Sequence, residues 1–499
     1  MKSRNLFGVV LLGVVLGQAG WAQESQPQNQ NDTAPPDAGQ RAAPAPALTG
    51  GWLSEGGGGG SDWTTRPPAV PAIVGGYGSS LAFSTEMERS NFIRGGVAVQ
   101  TGYDNNPYLS SGGNGNNFAV SVLPQIALDQ TRARIHWLLQ YSGGYTFNDQ
   151  LQVHDTTSQN LGFDLQYRMS PHVNVRLTEN LHYSSGLFAP GNNYDGTAPG
   201  VPQGSNPFIV TPLATEFGNL ARGEIDYQFS GSAVMGASGG YTTNRYSNTP
   251  PGFDLLNTTS EDAAGFYMHR LKQNNWLGTS YTFQHLTFPP TESETFIHSL
   301  LIFDTITLRQ HMTLSFFAGP QYSQDTSPVS SHQSRTLSFL AGPPYSADAA
   351  VVSGSSTLVE QAGWSTAAGV SYSWQGPHTS AAVSVVRRLS DGGGLLGAAE
   401  VNSATGALRR QLTRNWWGEI SASYAMNQAL SPTLTDTSSI QYASGGFSAE
   451  RRFGERVTVH LIYQHQFQNI ARIESNNNGA NRDQFIVTLA YLFTRPWGR

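Results

Sequence analysis

Large apolar residues occupy every second position through most of this chain. In "NLGFDLQYR", Leu161, Phe163, Leu165 and Tyr167 share one parity, while Gly162, Asp164, Gln166 and Arg168 share the other. "HVNVRLTENLHY" repeats the pattern through Val173, Val175, Leu177, Leu181 and Tyr183, interrupted once by Glu179. "FAVSVLPQIAL" does so through Phe118, Val120, Val122, Pro124, Ile126 and Leu128, and "RVTVHLIYQHQF" through Val457, Val459, Leu461 and Tyr463. The final stretch, "DQFIVTLAYLFTRPWGR", sets Phe485, Val487, Leu489, Tyr491 and Phe493 on one side. Successive side chains of a strand point to opposite faces. A period of two over roughly ten residues therefore predicts a strand that is greasy on one face only. From Asn91 onward the period of an amphipathic helix is hard to find.

Turn signals separate these segments and sort into two classes. Short ones stand at Asp129–Arg132, Met169–His172, Phe229–Ser232, Lys272–Asn275, Arg309–His311, Trp374–Pro377, Leu412–Asn415 and Phe453–Arg456. Long connections rich in Gly, Asn, Ser and Pro alternate with them, near residues 104–117, 148–158, 185–213, 247–260, 287–293, 326–360, 389–398, 429–438 and 470–482. The alternation predicts about 18 strands, with 16 as the alternative. Each has room for a tilted spanning strand of ~9–11 residues.

Composition decides what covers the greasy face. Only 12% of residues are charged, whereas Gly (55), Phe (24), Tyr (20) and Trp (10) are plentiful. Mean hydropathy is −0.32, so the chain is neutral-polar and aromatic rather than simply hydrophobic. No helices are available to pack on the strands, and the polar faces are mostly uncharged, unlike the outside of a soluble sandwich. Lipid is the remaining cover. In hydrocarbon every backbone N–H and C=O must be satisfied internally, so the sheet must close without an edge. The expected fold is all-β: a transmembrane antiparallel β-barrel whose last strand, Phe485–Phe493, pairs with one near Ile93–Tyr103. Aromatics near strand ends suit the two interfacial girdles: Trp137, Tyr141, Tyr145, Tyr183, Tyr227, Tyr241, Trp276, Tyr281, Trp364, Trp374, Trp416, Trp417 and Tyr463.

The N-terminal part reads differently. Lys2 and Arg4 precede an apolar run from Leu6 to Leu16, and the small residues Gly20 and Ala22 offer a cleavage site, so residues 1–22 read as a signal peptide. Residues 23–89 are rich in Pro, Gly and Gln, and such a composition buries too little apolar surface to offset ordering entropy. The expectation is a disordered periplasmic segment, followed by the barrel over 90–499 and localisation in the cell outer membrane. The chain has no Cys, which excludes disulfides, thiolate nucleophiles and Cys-held metals. A formal charge of −6 without any block of like charge excludes general attraction to nucleic acid.

The segments "GGVAVQTGYDNNPYL", "FAVSVLPQIALDQTRARIHWLLQYSGGYTFN" and "NLGFDLQYRMSPHVNVRLTENLHY" resemble the beta-barrel porin type 2 family of bacterial outer membranes, and the resemblance extends over most of Ile93–Arg499. The closing "FIVTLAYLF" is similar to the C-terminal signal read by the barrel assembly machinery, although six residues follow Phe493. The resemblance implies an outer-membrane barrel and a role near surface polysaccharide.

With the apolar parity outward, Arg134, His136, Asp164, Arg168, Arg176, Asn180, Glu224, Asp226, Glu419 and His460 are among the residues that face inward. A barrel of this size leaves an aqueous lumen. Arg134, Arg168 and Arg176 come from neighbouring strands and are expected to form a basic ladder, with Asp164, Glu224 and Asp226 facing it. Those six and Glu419 are the candidate lumen-lining selectivity residues. Of the two longest loops, Gly186–Phe208 is the first choice for an infolded constriction. Enzyme signals are weak. "GASGG" (Gly236–Gly240) fits G-x-S-x-G by letters but lies within a strand pattern and lacks the following helix of a nucleophile elbow. His460 and His465 have opposite parity and cannot share a metal. No cofactor is expected. The sequence therefore points to an outer-membrane channel, not an enzyme, that passes small hydrophilic solutes by diffusion. Its alternative is an export conduit for extracellular polysaccharide, and an outer-membrane barrel enzyme comes third. The partners implied are the lipid bilayer, the assembly machinery and the transported solute or polysaccharide. A homo-oligomer stays open, since no interface patch is readable.

Overall fold

The computed structural model describes residues 91–107, 115–149, 155–184, 209, 214–249, 255–289, 291–309, 312–330, 356–376, 378–431, 437–454, 456–472 and 478–496. Among them no helix occurs. The strands are β1 (Asn91–Asp104), β2 (Asn117–Thr131), β3 (Ile135–Asn148), β4 (Thr156–Arg168), β5 (Val173–Ser184) and β6 (Thr215–Ser230). They continue as β7 (Ala233–Ser247), β8 (Thr258–Lys272), β9 (Asn275–Phe288), β10 (Ser293–Arg309), β11 (Met312–Ser330) and β12 (Ser356–Gln375). The last six are β13 (Thr379–Gly392), β14 (Leu396–Thr413), β15 (Trp416–Ala429), β16 (Thr437–Phe453), β17 (Val457–Arg472) and β18 (Asn478–Pro496).

All belong to one 18-stranded antiparallel sheet in which each strand pairs with its sequence neighbours and β18 returns to β1. The ring closes where the alternation predicts. Tyr103 lies opposite Phe485 and Gly95 opposite Phe493. The seam runs past Phe493 to Pro496, opposite Phe92, so the last strand is longer than its apolar repeat. Closure of β18 on β1 leaves neither terminal strand as an edge.

Parity separates the two faces. Ile126, Tyr145, Leu177, Ile225, Ile302, Ile420 and Phe493 stand on the outside at 38–63% exposure. Their inward neighbours on the same strands include Gln125, Thr146, Asp226 and Thr305, all buried. An outer band of large apolar side chains and an inner face of hydrogen-bonded polar ones is the inverse of a soluble domain.

Two girdle residues face the interior instead. Trp276 is 4% exposed and belongs to an apolar cluster with Val234, Met268, Leu301, Phe303, Phe317 and Ala367. Trp417 alternates with Trp416, so only one of the adjacent pair can face out. Trp417 takes the guanidinium of Arg409 over its ring at 5.0 Å. The inner wall from β7 to β12 is thus apolar near the short turns, a departure from the strictly polar interior that alternation implies.

One predicted loop also differs. Residues 389–398 are not an open connection but a tight hairpin. The Leu395 amide donates to the Gly392 carbonyl at 3.2 Å, with Gly393 at φ 57° and Gly394 at φ 82° between them. Two central residues with positive φ define the turn that suits strand twist, and glycine adopts it without penalty.

Candidate functional site: the interior of the barrel

Charged side chains gather on the inner wall because parity puts them there, and several find partners on neighbouring strands. On β4 and β5, Arg176 Nη2 binds Asp164 Oδ2 at 2.6 Å, and its Nε reaches the same oxygen at 2.8 Å. Arg176 lies opposite Glu224 of β6 in the ladder. On β6, Arg222 donates from Nε to Glu224 at 3.2 Å and from Nη1 to Asp262 of β8 at 2.9 Å. Its Nη2 also donates to Ser238 Oγ of β7 at 2.7 Å. The Arg222 side chain is only 1% exposed. A charge so far from water is tolerated only because its donors are taken up by carboxylates and a hydroxyl.

Asp164 and Arg176 keep 18% and 29% of their side chains accessible, although both point into a closed ring. Water must reach them from within. This partial exposure marks the interior beside β4–β6 as a hydrated space.

Further groups sit at the two ends. At the short-turn end, Asp129 of β2 receives Arg94 of β1 at 3.5 Å and His136 of β3 at 3.1 Å. Three strands from β1 in the other direction around the ring, Glu450 of β16 holds Arg409 at 3.5 Å and Arg452 at 3.0 Å. At the long-loop end of the seam, Asp104 is fully buried. It accepts from Arg482 Nη2 at 2.6 Å and from Gln484 at 3.0 Å.

The expected site residues divide as follows. Asp164, Arg176, Glu224 and Asp226 share one belt of the inner wall on β4, β5 and β6. Arg168 ends β4, where its amide donates to the Arg134 carbonyl at 2.8 Å. Glu419 lies on β15 opposite Arg409. Arg134 itself is exposed in the turn between β2 and β3 and is not on the wall, because β3 begins at Ile135. Opposed basic and acidic ladders are not what forms. Arg176 sits between Asp164 and Glu224, since adjacent opposite charges neutralise each other more cheaply than separated ones. Arg222, Asp262 and the Glu450 cluster did not stand out in the sequence. Their signal was inward parity on neighbouring strands, legible only once register is known.

The interior is also crossed by protein. From Leu389 to Ala399 almost every residue is buried, on both parities. Along most of the wall buried residues alternate with more accessible ones, so a buried run of this length marks a hairpin that leaves the wall. Leu395, Leu396 and Ala399 pack on Ile440 of β16, Ile470 of β17 and Ile209. Leu389 and Ala398 pack on Leu286, Phe288 and Ile297 of β9 and β10. The Leu256 amide, ahead of β8, donates to the Gly394 carbonyl at 2.7 Å. A hairpin that meets inner-face residues of both β9–β10 and β16–β17 lies within the ring and narrows its long-loop half. Gly186–Phe208, the expected constriction, lies outside the described residues.

For catalysis the site offers little. Ser238 of the G-x-S-x-G match is in the middle of β7 and receives Arg222, not a histidine. His460 is on the inner parity of β17, whereas His465 binds Asp483 on the outside at 2.8 Å. Among the described residues no group of three His, Cys, Asp or Glu side chains is placed to hold a metal ion.

These features define a closed 18-stranded antiparallel β-barrel with an apolar outer band, a charged inner wall and an inserted hairpin. Among solved structures the chain is similar to OpdQ of Pseudomonas aeruginosa, with 10% identity, a TM-score of 0.40, and 82% of this chain and 99% of that one covered. It is also similar to the outer membrane protein OpdK of the same organism, with 11% identity, a TM-score of 0.40, and 81% and 99% covered. A third is the ferric citrate transporter FecA in its unliganded form, with 10% identity, a TM-score of 0.41, and 81% and 79% covered. No family model matches the chain. No curated protein matches it either.

Proposed function

We propose that this protein is an outer-membrane channel through which small hydrophilic solutes diffuse. One observation carries the reading: ion-paired side chains such as Asp164 and Arg176 are part-exposed to the inside of a ring whose outside is apolar. Such a ring is stable only with hydrocarbon outside and water inside. The same reading assigns the outer membrane as location, residues 1–22 as signal peptide, and the bilayer and barrel assembly machinery as partners. It also keeps the resemblance to the beta-barrel porin type 2 family.

Solutes enter past the inserted hairpin and pass the belt of Asp164, Arg168, Arg176, Glu224 and Asp226. There, fixed charges of both signs exchange hydrogen bonds with the permeant and set the preference between cations and anions. Glu419 acts nearer the short turns. Polysaccharide export needs a wide path from end to end, and the hairpin across the long-loop half favours small solutes over it.

Single-channel recording in planar bilayers tests the proposal. Discrete ohmic steps, with a reversal potential that shifts in Arg176→Gln, are the expected result. A refolded barrel that inserts but conducts nothing overturns it.

A further inference from the structure

Three arginines stand together on the outside of the barrel at its short-turn end. Arg410 has the outward parity of β14, between Leu408 and Leu412. Arg414 lies in the turn that leads to β15, and Arg451 has the outward parity of β16, between Ala449 and Phe453. All three are exposed. They bracket Trp416 at the start of β15. Arg451 lies directly opposite Trp416 in the ladder. Its guanidinium stands 5.1 Å from that ring and 4.4 Å from the ring of Phe453. Arg410 lies opposite Gly418, two residues further along β15. Gly418 also faces Ala449 of β16, so the surface between the arginines is low. A Cβ at Gly418 would come no nearer than 3.4 Å to another atom, Leu412 Cδ1. The wall itself therefore does not require a glycine there.

The carboxylates of these strands face the other way. Glu419 and Glu450 have inward parity, and Glu450 is taken up by Arg409 and Arg452. Among the described residues no carboxylate stands on the outward side of β14–β16 at this end, and none forms an ion pair with Arg410, Arg414 or Arg451. The next outward row is Leu408, Ile420 and Phe447, directly paired across the same three strands. These are 45%, 63% and 51% exposed and belong to the apolar outer band. On the membrane reading proposed above, hydrocarbon ends and water begins at Trp416. Whatever neutralises the arginines must carry its negative charge at that depth and its apolar part beside Ile420. A soluble acid meets the first demand only. A zwitterionic lipid meets the second, but sets its own ammonium among the guanidiniums. Short turns of bacterial barrels face the periplasm, where the leaflet is phospholipid.

We propose that Arg410, Arg414 and Arg451, set around Trp416, are a docking site for the head group of an anionic phospholipid in the periplasmic leaflet. The phosphate rests over Gly418 and Ala449 and accepts hydrogen bonds from the guanidiniums, which suit its geometry. An acyl chain runs up past Ile420 and Phe447. The inference rests on the membrane reading and goes beyond the channel, since it gives one sector of the outer wall a preferred lipid.

The protein has no cysteine, so single-cysteine variants carry one bimane label each. Ile420→Cys reports the site. Met235→Cys is the control, an outward position near the β6–β7 turn, where Phe229–Ser232 carry no cation. Refolded full-length chains are placed in phosphatidylcholine vesicles that contain a nitroxide near the head-group end of an acyl chain. The nitroxide is borne either by phosphatidylglycerol or by phosphatidylcholine. The ratio of the two quenching efficiencies is read for each label, so that label depth cancels. A phosphatidylglycerol preference of at least about twofold at Ile420→Cys, and none at Met235→Cys, is the expected result. Adding Arg410→Gln, Arg414→Gln and Arg451→Gln abolishes the preference at Ile420→Cys. Equal quenching by the two lipids there, the same preference at both positions, or a preference that survives the three substitutions overturns the site and leaves the channel intact. No quenching at either position overturns the membrane reading, and the site with it. Should the triple variant fail to fold, seen as loss of the heat-modifiable gel band, Arg451→Gln alone supplies the same comparison.

Discussion

Among the described residues Arg222 is the least exposed cation of the inner wall. Its partners include carboxylates from β6 and β8 and a hydroxyl from β7. Removing one member of such a set leaves buried charge without compensation, which costs about 3–5 kcal/mol. Arg222→Ala should therefore lower stability by at least about 3 kcal/mol, read as an earlier midpoint in urea unfolding of the refolded barrel. Arg176 differs because water already reaches it. Arg176→Gln should leave the midpoint within about 1 kcal/mol and instead raise the cation-to-anion permeability ratio about twofold, since Asp164 and Glu224 are left in excess. The measurement is the reversal potential in a salt gradient. Gly394 supplies a third case. A Cβ there would meet the Tyr246 ring at 2.8 Å, and φ is already +82°. Gly394→Ala should cost about 1–2 kcal/mol of local order and appear as flickering open-channel current.

At the scale of elements, the inserted hairpin and the seam are the informative parts. Replacing Leu389–Ala398 by an Asn-Gly turn removes the obstruction without touching the wall ladder below Arg387. Conductance should rise at least about twofold, because current follows the narrowest cross-section. An unchanged single-channel step would mean that the restriction lies elsewhere. The seam between β1 and β18 joins the ends of the chain through Asp104, Arg482 and Gln484. Asp104→Asn keeps the shape but loses the charge facing a buried guanidinium, a loss of about 1.5–3 kcal/mol. The expected outcome is a lower unfolding midpoint with unaltered ion selectivity. Much of this scale was readable in advance. Each short turn carried polar or Gly/Pro residues between two alternating runs, and parity told which face each strand presents. The hairpin hid for a local reason. "SDGGGLLGAAE" has turn glycines but no alternation, so it reads as a loop. Apolar residues on both parities were the available sign that both faces are covered.

Over the whole molecule, the sequence alone determined that the chain forms a ring. Alternation without helices, eight tight turns between nine longer connections, and a terminal strand of matching pattern admit few other ways to satisfy the backbone. It also determined which side of nearly every strand is apolar, because parity survives any choice of partner. Only the tertiary structure decided which inward charges meet. Arg222 with Asp262 and Arg409 with Glu450 depend on register between strands, and a slip of one residue reverses every face. It likewise decided that inward residues of β7 to β12 gather into one apolar cluster, and that β13 leaves β12 after Arg387 to enter the interior. Those outcomes follow from packing among residues far apart in the chain, whose contact energies no local pattern contains.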